Sequence, residues 1–227
     1  MRLLDQYRRS FTEAYEIVVG KIRNELGLEP TGRPAKSTTS ISDKLRRESI
    51  RLTQIQDIAG CRLIVPDIRN QESVVQSLSG LFEHYTVIDR RQRPSHGYRA
   101  VHVVVNYGGK LIEIQVRTSM QHLWAELSEK LSDVKDPAIK YGGGDETSRE
   151  LLRMTSEMVA ISELAEAQVT SLMAEVSLHT DLPEGLKQEI DGIKERYSSQ
   201  IQESYEILRG VINYAQKLKG EKDALPD

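Results

Sequence analysis

One cysteine, one tryptophan and two phenylalanines stand in a chain of 227 residues. Cys61 alone builds no disulfide framework, which excludes a small stapled scaffold and favours a reducing compartment. No apolar run approaches the roughly 20 residues that cross a bilayer. The opening Met-Arg-Leu-Leu-Asp-Gln meets charge too early for the apolar stretch of a secretory signal. A cytoplasmic protein with no membrane partner is therefore expected. Phosphate-binding glycine loops of the Walker type are missing too, because Gly108-Gly-Lys110 runs into Leu111 and Gly142-Gly-Gly144 into Asp145. Neither Gly-x-Ser-x-Gly nor His-Glu-x-x-His occurs. His84, His96, His122 and His179 show no metal-ligand spacing. A nucleotide held by this chain must be held by side chains of a sheet and its flanking loops.

Charge, by contrast, is plentiful and unevenly placed. The formal net charge is −3, yet residues 1–60 carry eleven Lys and Arg against eight Asp and Glu, and residues 145–227 carry nine against seventeen. From Asp89 to Arg117 six basic residues face two acidic ones. A local positive field of this kind attracts a polyanion even on a mildly acidic protein. The acidic tail reads more plainly as solvated helix faces.

Hydrophobic periodicity predicts a helix over 1–27, with Leu3, Leu4, Tyr7, Phe11, Tyr15, Val18, Val19 and Ile22 at three- and four-residue steps. Gly27 and Pro30 stop it. A polar, basic loop spans 32–39, and a short helix over 41–48 takes Ser40 as its N-cap. The run 61–65 reads as a buried strand, 71–82 as a helix, and 85–88 as another strand. Strands over 99–106 and 110–117 flank Tyr107-Gly-Gly109, which is hairpin-turn chemistry. Residues 119–131 form a helix, and two long amphipathic helices over about 146–180 and 184–219 part at Asp181-Leu-Pro183. The order implies an α+β fold with a mixed sheet of about five strands flanked by helices. Residues 1–144 are expected to form one domain and 145–227 a C-terminal helical extension.

The second hairpin strand puts Glu113, Gln115 and Arg117 on one face and Ile112, Ile114 and Val116 on the other. A polar face on a buried sheet calls for a purpose. A Mg2+ site for a nucleotide needs only one or two carboxylates, since phosphate oxygens and waters complete the shell. Asp57, just before one strand, and Glu113, on a neighbouring one, suit that pair. One carboxylate can hold the metal while the other takes a proton from an attacking hydroxyl. Arg33, Lys36, Lys44, Arg46, Arg47, Arg62, Arg99 and Arg117 are available to neutralise phosphates or stack on bases. Tyr98, between Gly97 and Arg99, can stack on a nucleobase, although a tyrosine at a strand start also packs half-buried. His102 can meet a phosphate or bond within the core.

These strings resemble, in order, the synthetase domain of the RelA/SpoT family in its small single-domain form. The matching motifs are the basic stretch Gly32-Arg33…Lys36…Ser40-Ile41…Lys44-Leu45-Arg46, Asp57-Ile-Ala-Gly-Cys-Arg62, Gly97-Tyr-Arg-Ala-Val-His102, Glu113-Ile-Gln-Val-Arg-Thr118 and His122-Leu-Trp-Ala-Glu126. The family's hydrolase domain and ribosome-binding regions have no counterpart. The resemblance implies a nucleotidyltransferase-like fold and transfer of the β,γ-pyrophosphate of ATP to a ribose 3′-hydroxyl. It implies Mg2+ on Asp57, with Glu113 deprotonating the hydroxyl or sharing the metal. ATP would be held by Arg33 and Arg62 on the adenine and by Lys36, Ser40, Lys44 and Arg47 towards the phosphates. Tyr98, Arg99, His102, Gln115 and Arg117 would line the acceptor side.

The pattern also departs from the family. Two residues separate Arg33 from Lys36, where the family commonly has one. The loop Arg90-Arg-Gln-Arg-Pro-Ser-His-Gly97 is short and arginine-rich, and it leads into Tyr-Arg-Ala-Val-His in place of the commoner Tyr-Arg-Ser form. With Ser128-Glu-Lys130 and Lys140-Tyr-Gly-Gly-Gly144, that variant resembles the toxic small synthetases. The acceptor is therefore open between GDP or GTP, an adenosine nucleotide and the tRNA 3′ end. The toxic subgroup implies an antitoxin partner, and the long C-terminal helices offer a surface for homo-oligomers. A catalytically inert nucleotide-sensing scaffold is the remaining reading, and the presence of both Asp57 and Glu113 speaks against it.

Overall fold

A computed structural model describes residues 2–178 and 182–223. His179, Asp181 and the expected helix end at 180 lie outside the described residues. The elements follow the order α1 (Arg2–Arg9), α2 (Thr12–Leu26), β1 (Thr31–Arg33), α3 (Thr38–Arg47), β2 (Ala59–Val65), α4 (Ile68–Leu81), β3 (Tyr85–Asp89), β4 (Val101–Tyr107), β5 (Lys110–Thr118), α5 (Ser119–Val134), α6 (Glu146–Ser177) and α7 (Glu184–Asp223). Short 3-10 turns lie at Leu52–Gln54 and Pro137–Tyr141. The class is α+β, as the sequence implies. Its mixed five-stranded sheet runs β1-β2-β5-β4-β3, and long helices close the chain.

Two compact units divide the chain. The first comprises Met1–Val65, Asn70–Arg90 and Ala100–Arg117; the second comprises Pro66–Arg69, Arg91–Arg99 and Thr118–Asp227. In the first, Tyr15, Val18, Val19 and Ile22 of α2 and Leu78 of α4 are buried with Cys61, Leu63, Val65, Ile112, Ile114 and Val116 of the sheet. Burial of these side chains is the main stabilising term here. Gln71 is fully buried in the same region, and its Nε2 donates to the Val116 carbonyl at 2.7 Å, so α4 meets the sheet without an orphaned amide. In the second unit Trp124, Leu127 and Leu131 of α5 pack with Leu152 and Val159 of α6 and Leu208, Ile212 and Ala215 of α7.

Several boundaries differ from the periodicity reading, each for a local reason. The first expected helix is two helices, because the Ser10 hydroxyl donates to the Tyr7 carbonyl at 2.7 Å and competes with the helical ladder. Leu3, expected on the apolar face, is 82% exposed. The third helix starts at Thr38, and its cap is Ser37, whose Oγ accepts from the Ser40 N–H at 3.1 Å. Ser40 is thus the residue capped rather than the cap. The stretch expected as a loop from residue 32 begins as edge strand β1, pairing Thr31 with Arg62, Gly32 with Cys61 and Arg33 with Gly60. Arg99 lies before β4 rather than in it.

Asp145 starts α6 by accepting from the Ser148 N–H at 2.9 Å and its hydroxyl at 2.6 Å. Those bonds hold its carboxyl down at about 2, below the ordinary 3.8. A depressed carboxylate stabilises the fold above its unfolded value and loses that contribution as the pH falls through its folded value. Asp145→Ala is accordingly expected to melt at a lower temperature than the parent at neutral pH. The gap should close between pH 3.8 and about 2, as read by thermal melts followed by circular dichroism.

Candidate active site

The strand alternation places a polar face on the sheet of the first unit. On β2 the side chains of Ala59, Cys61, Leu63 and Val65 enter the core, which leaves Gly60 and Arg62 on the opposite face. On β5 Ile112, Ile114 and Val116 enter the core, and Glu113, Gln115 and Arg117 share the polar face with Gly60 and Arg62. The β4–β5 register sets Gln115 opposite His102 and Glu113 opposite Val104, so His102 joins that face. Arg33, opposite Gly60 on β1, belongs to it as well and is exposed.

Along this face the side chains form a chain of hydrogen bonds. His102 Nδ1 donates to Glu113 Oε1 at 2.9 Å, and Gln115 Nε2 donates to Glu113 Oε2 at 2.7 Å. Arg117 Nη2 in turn donates to Gln115 Oε1 at 2.8 Å. Burial pushes the Glu113 carboxyl up, but the bonds from His102 and Gln115 outweigh it and hold the group below the usual glutamate value of 4.5. The charge of Asp57 acts in the opposite direction, so the two carboxylates lie within electrostatic reach of one another. Gly60 makes room for Glu113: a Cβ built on it would meet the Glu113 carbonyl oxygen at 2.7 Å.

Asp57 stands just before β2 under two ammonium groups. Lys36 Nζ lies 2.5 Å from Oδ2 and Lys44 Nζ 3.0 Å from Oδ1. Burial raises this carboxyl, and the two lysines more than reverse that, so it too stays ionised below its usual range. The backbone fixes the arrangement, since the Lys36 N–H donates to the Ile58 carbonyl at 2.6 Å and Arg8 Nε donates to the Lys36 carbonyl at 3.0 Å. Lys44 comes from the last turn of α3, where a cation also suits the helix dipole. Arg47, one turn on, donates to Glu48 at 3.2 Å, and the Ser40 and Ser37 hydroxyls meet at 2.8 Å.

The first unit therefore brings together Asp57, Glu113, Lys36, Lys44, His102, Gln115, Arg117 and Arg62, with Arg33 on the same sheet face. Tyr98 and Arg99 belong to the second unit. Tyr98 packs with its ring centroid 6.5 Å from that of Trp124, and Arg99 Nε donates to Ser156 Oγ at 3.1 Å. Ser156 is absent from the sequence reading, and Gly60 enters it only as part of the Asp57–Arg62 string. Gly60 carried a signal, being a glycine inside an apolar strand pattern, which marks a close backbone approach. Ser156 carried none, as one of several small polar residues on a long helix. Among the described residues no three His, Cys, Asp or Glu side chains converge as a metal cage. Two ionised carboxylates do fit a hard divalent cation that takes its other ligands from phosphates and water.

Residues 32–132 match the family model described as a region found in RelA/SpoT proteins. An uncharacterised protein of Mycobacterium tuberculosis is 29% identical over 171 residues, covering 72% of this chain. The chain spans 62% of the length of that relative. The GTP pyrophosphokinase YjbM of Bacillus subtilis is 34% identical over 166 residues, 61% of this chain and 74% of the relative. The crystal structure of small alarmone synthetase 1 from Bacillus subtilis superposes with a TM-score of 0.56 at 27% identity, covering 77% of this chain and 97% of that one. The matched region carries the Asp57 and Glu113 strings together with the sheet that presents them. Sequence and fold agree, and the chain belongs to the RelA/SpoT family.

Proposed function

We propose that the chain is a pyrophosphokinase that moves the β,γ-pyrophosphate of ATP to the ribose 3′-hydroxyl of GDP or GTP. Its products are a (p)ppGpp-type alarmone and AMP. The observation that carries this reading is Glu113, a buried carboxylate kept ionised by His102 and Gln115 and lying within electrostatic reach of Asp57. A carboxylate so placed takes the proton of the 3′-hydroxyl as its oxygen bonds to the β-phosphorus and the bond to the α,β-bridging oxygen breaks. Lys36 and Lys44, now spent on Asp57, turn to the phosphates when polyphosphate arrives. Asp57 would hold Mg2+, which when bound offsets charge on the transferred group. Arg33 and Arg62 take the adenine, with Ser40 and Arg47 towards the phosphates. On the sheet face His102, Gln115 and Arg117 serve the acceptor, and Tyr98 is the base-stacking residue that the family motif suggests. The family relationship and the names of the relatives support the same reading.

Arg90 and Arg93 are exposed in the loop before Tyr98, and these charges suit a tRNA backbone as a second reading of the acceptor. ATP labelled in its terminal phosphates, given with Mg2+ and with GDP, GTP, AMP or deacylated tRNA in separate reactions, decides between them. Label on GDP or GTP with release of AMP is the expected result. Label on tRNA alone would replace the nucleotide reading by that of a toxin acting on the tRNA 3′ end, with an antitoxin as its partner. No AMP release with any acceptor would overturn the enzyme reading in favour of a scaffold.

A further inference from the structure

The Ser156 hydroxyl of α6 fastens the end of the loop 91–99. Ser156 of α6, 3% exposed, donates from Oγ to the Gly97 carbonyl at 2.7 Å. The same oxygen accepts from Arg99 Nε at 3.1 Å, and Arg99 Nη1 reaches back to the Arg91 carbonyl at 2.5 Å. Ser156 thus holds the Gly97–Arg99 end, and Arg99 carries the connection back to Arg91. Between those ends the backbone takes an uncommon path, with His96 at φ 53° and Gly97 at φ 89°. Positive φ is uncommon outside glycine, and histidine is one of the residues that takes it more readily. The turn closes with the Tyr98 N–H donating to the Ser95 carbonyl at 2.9 Å. Space is tight at its crest, where a Cβ on Gly97 would meet the Trp124 ring at 2.6 Å and the Ser156 Cβ at 3.3 Å. Trp124 is fixed in its turn, its Nε1 donating to the Leu152 carbonyl of α6 at 2.9 Å.

Glu163, two turns further along α6, adds a field to this clamp. Its carboxylate is buried, accepts from the Thr118 hydroxyl and from Gln121 Nε2, and feels the charges of Arg99 and Arg91. We infer that Ser156, acting through Arg99 and the Gly97 carbonyl, is a positioning residue that sets the loop presenting Tyr98, and so governs the acceptor and not ATP. This rests on the reading of Tyr98 as the acceptor-stacking residue. It assigns Arg99 to holding the loop, in place of direct contact with the acceptor that its motif suggests.

Ser156→Ala and Ser156→Thr test it, with helix content checked by circular dichroism. Loss of a bond to a charged donor and of one to a carbonyl should raise the acceptor KM roughly tenfold, with the ATP KM unchanged. Trypsin reads the loop without reference to activity. It can cut after Arg91, whereas the bond after Arg93 precedes Pro94 and resists. Cleavage after Arg91 in Ser156→Ala should quicken, and Ser156→Thr, which keeps the hydroxyl, should restore both the KM and the resistance. Equal rises in the KM for ATP and acceptor, unchanged cleavage in Ser156→Ala, or no rescue by Thr would each overturn the inference. Should the parent transfer label to no acceptor, the proposed function falls, the acceptor assignment falls with it, and cleavage alone decides whether the clamp holds the loop.

Discussion

Glu113→Gln is expected to lower kcat by roughly 10²–10⁴-fold, the range for loss of a positioned general base, while ATP still binds. The amide has the size of the carboxylate and retains an oxygen for one of the donors His102 and Gln115. It loses the negative charge that, on the proposed mechanism, accepts the hydroxyl proton. Comparing kcat with the dissociation constant for ATP separates chemistry from binding. Full activity in the variant would remove Glu113 from the reaction. The pH profile gives a second check. Because Glu113 is held below the usual glutamate value of 4.5, its active, ionised form persists below that pH. The acid limb of kcat/KM assigned to it should therefore lie under 4.5, with activity lost as the pH falls through that limb and the carboxylate is protonated.

Gly60→Ala is expected to destabilise the fold. The added methyl meets the Glu113 carbonyl oxygen at 2.7 Å and its Cβ at 3.4 Å, with backbone on the near side and no flexible tip to move away. Relief requires β2 to shift from β5. Overpacking of this kind costs about 1–3 kcal/mol, or roughly 2–12 °C in melting temperature for a chain of this size. Since Asp57 lies just before β2 and Glu113 on β5, the shift also alters the spacing of the two carboxylates, and transfer should fall further than stability explains. Thermal melts and turnover at a temperature where the variant is fully folded separate the two effects. An unchanged melting temperature would show that the strands tolerate the methyl.

The sheet face was the most legible part of this molecule. Period-two alternation over residues 110–117 is enough to put Glu113, Gln115 and Arg117 together, because a strand leaves no third direction for a side chain. The hairpin before it was equally plain, since Gly108 and Gly109 both take positive φ in the turn. Strand β1 was not legible: three exposed residues carry no alternation, and only pairing with Gly60, Cys61 and Arg62 makes them a strand. The cap of α3 was missed for a different reason, as Ser37 and Ser40 both satisfy the local rule and only backbone geometry separates them. Gln71 could have been read, because it shares the helical stripe of Val74, Val75 and Leu78 and a buried amide there needs a partner. Ser156 lay beyond any local pattern, with partners 57 and 59 residues away in the chain.

That separation has a bearing on how the protein is made. A ribosome adds about 5–20 residues each second, so the loop around Tyr98 emerges several seconds before the helix that fastens it. Until residue 156 has been added, Gly97 and Arg99 lack the hydroxyl that joins them, and the loop keeps the freedom of an unanchored segment. The nascent chain can form its hairpin early, but the hold on Tyr98 is postponed until residue 156 has been added. Formation of the hairpin and fastening of the Tyr98 loop are thus separate events in the order of synthesis.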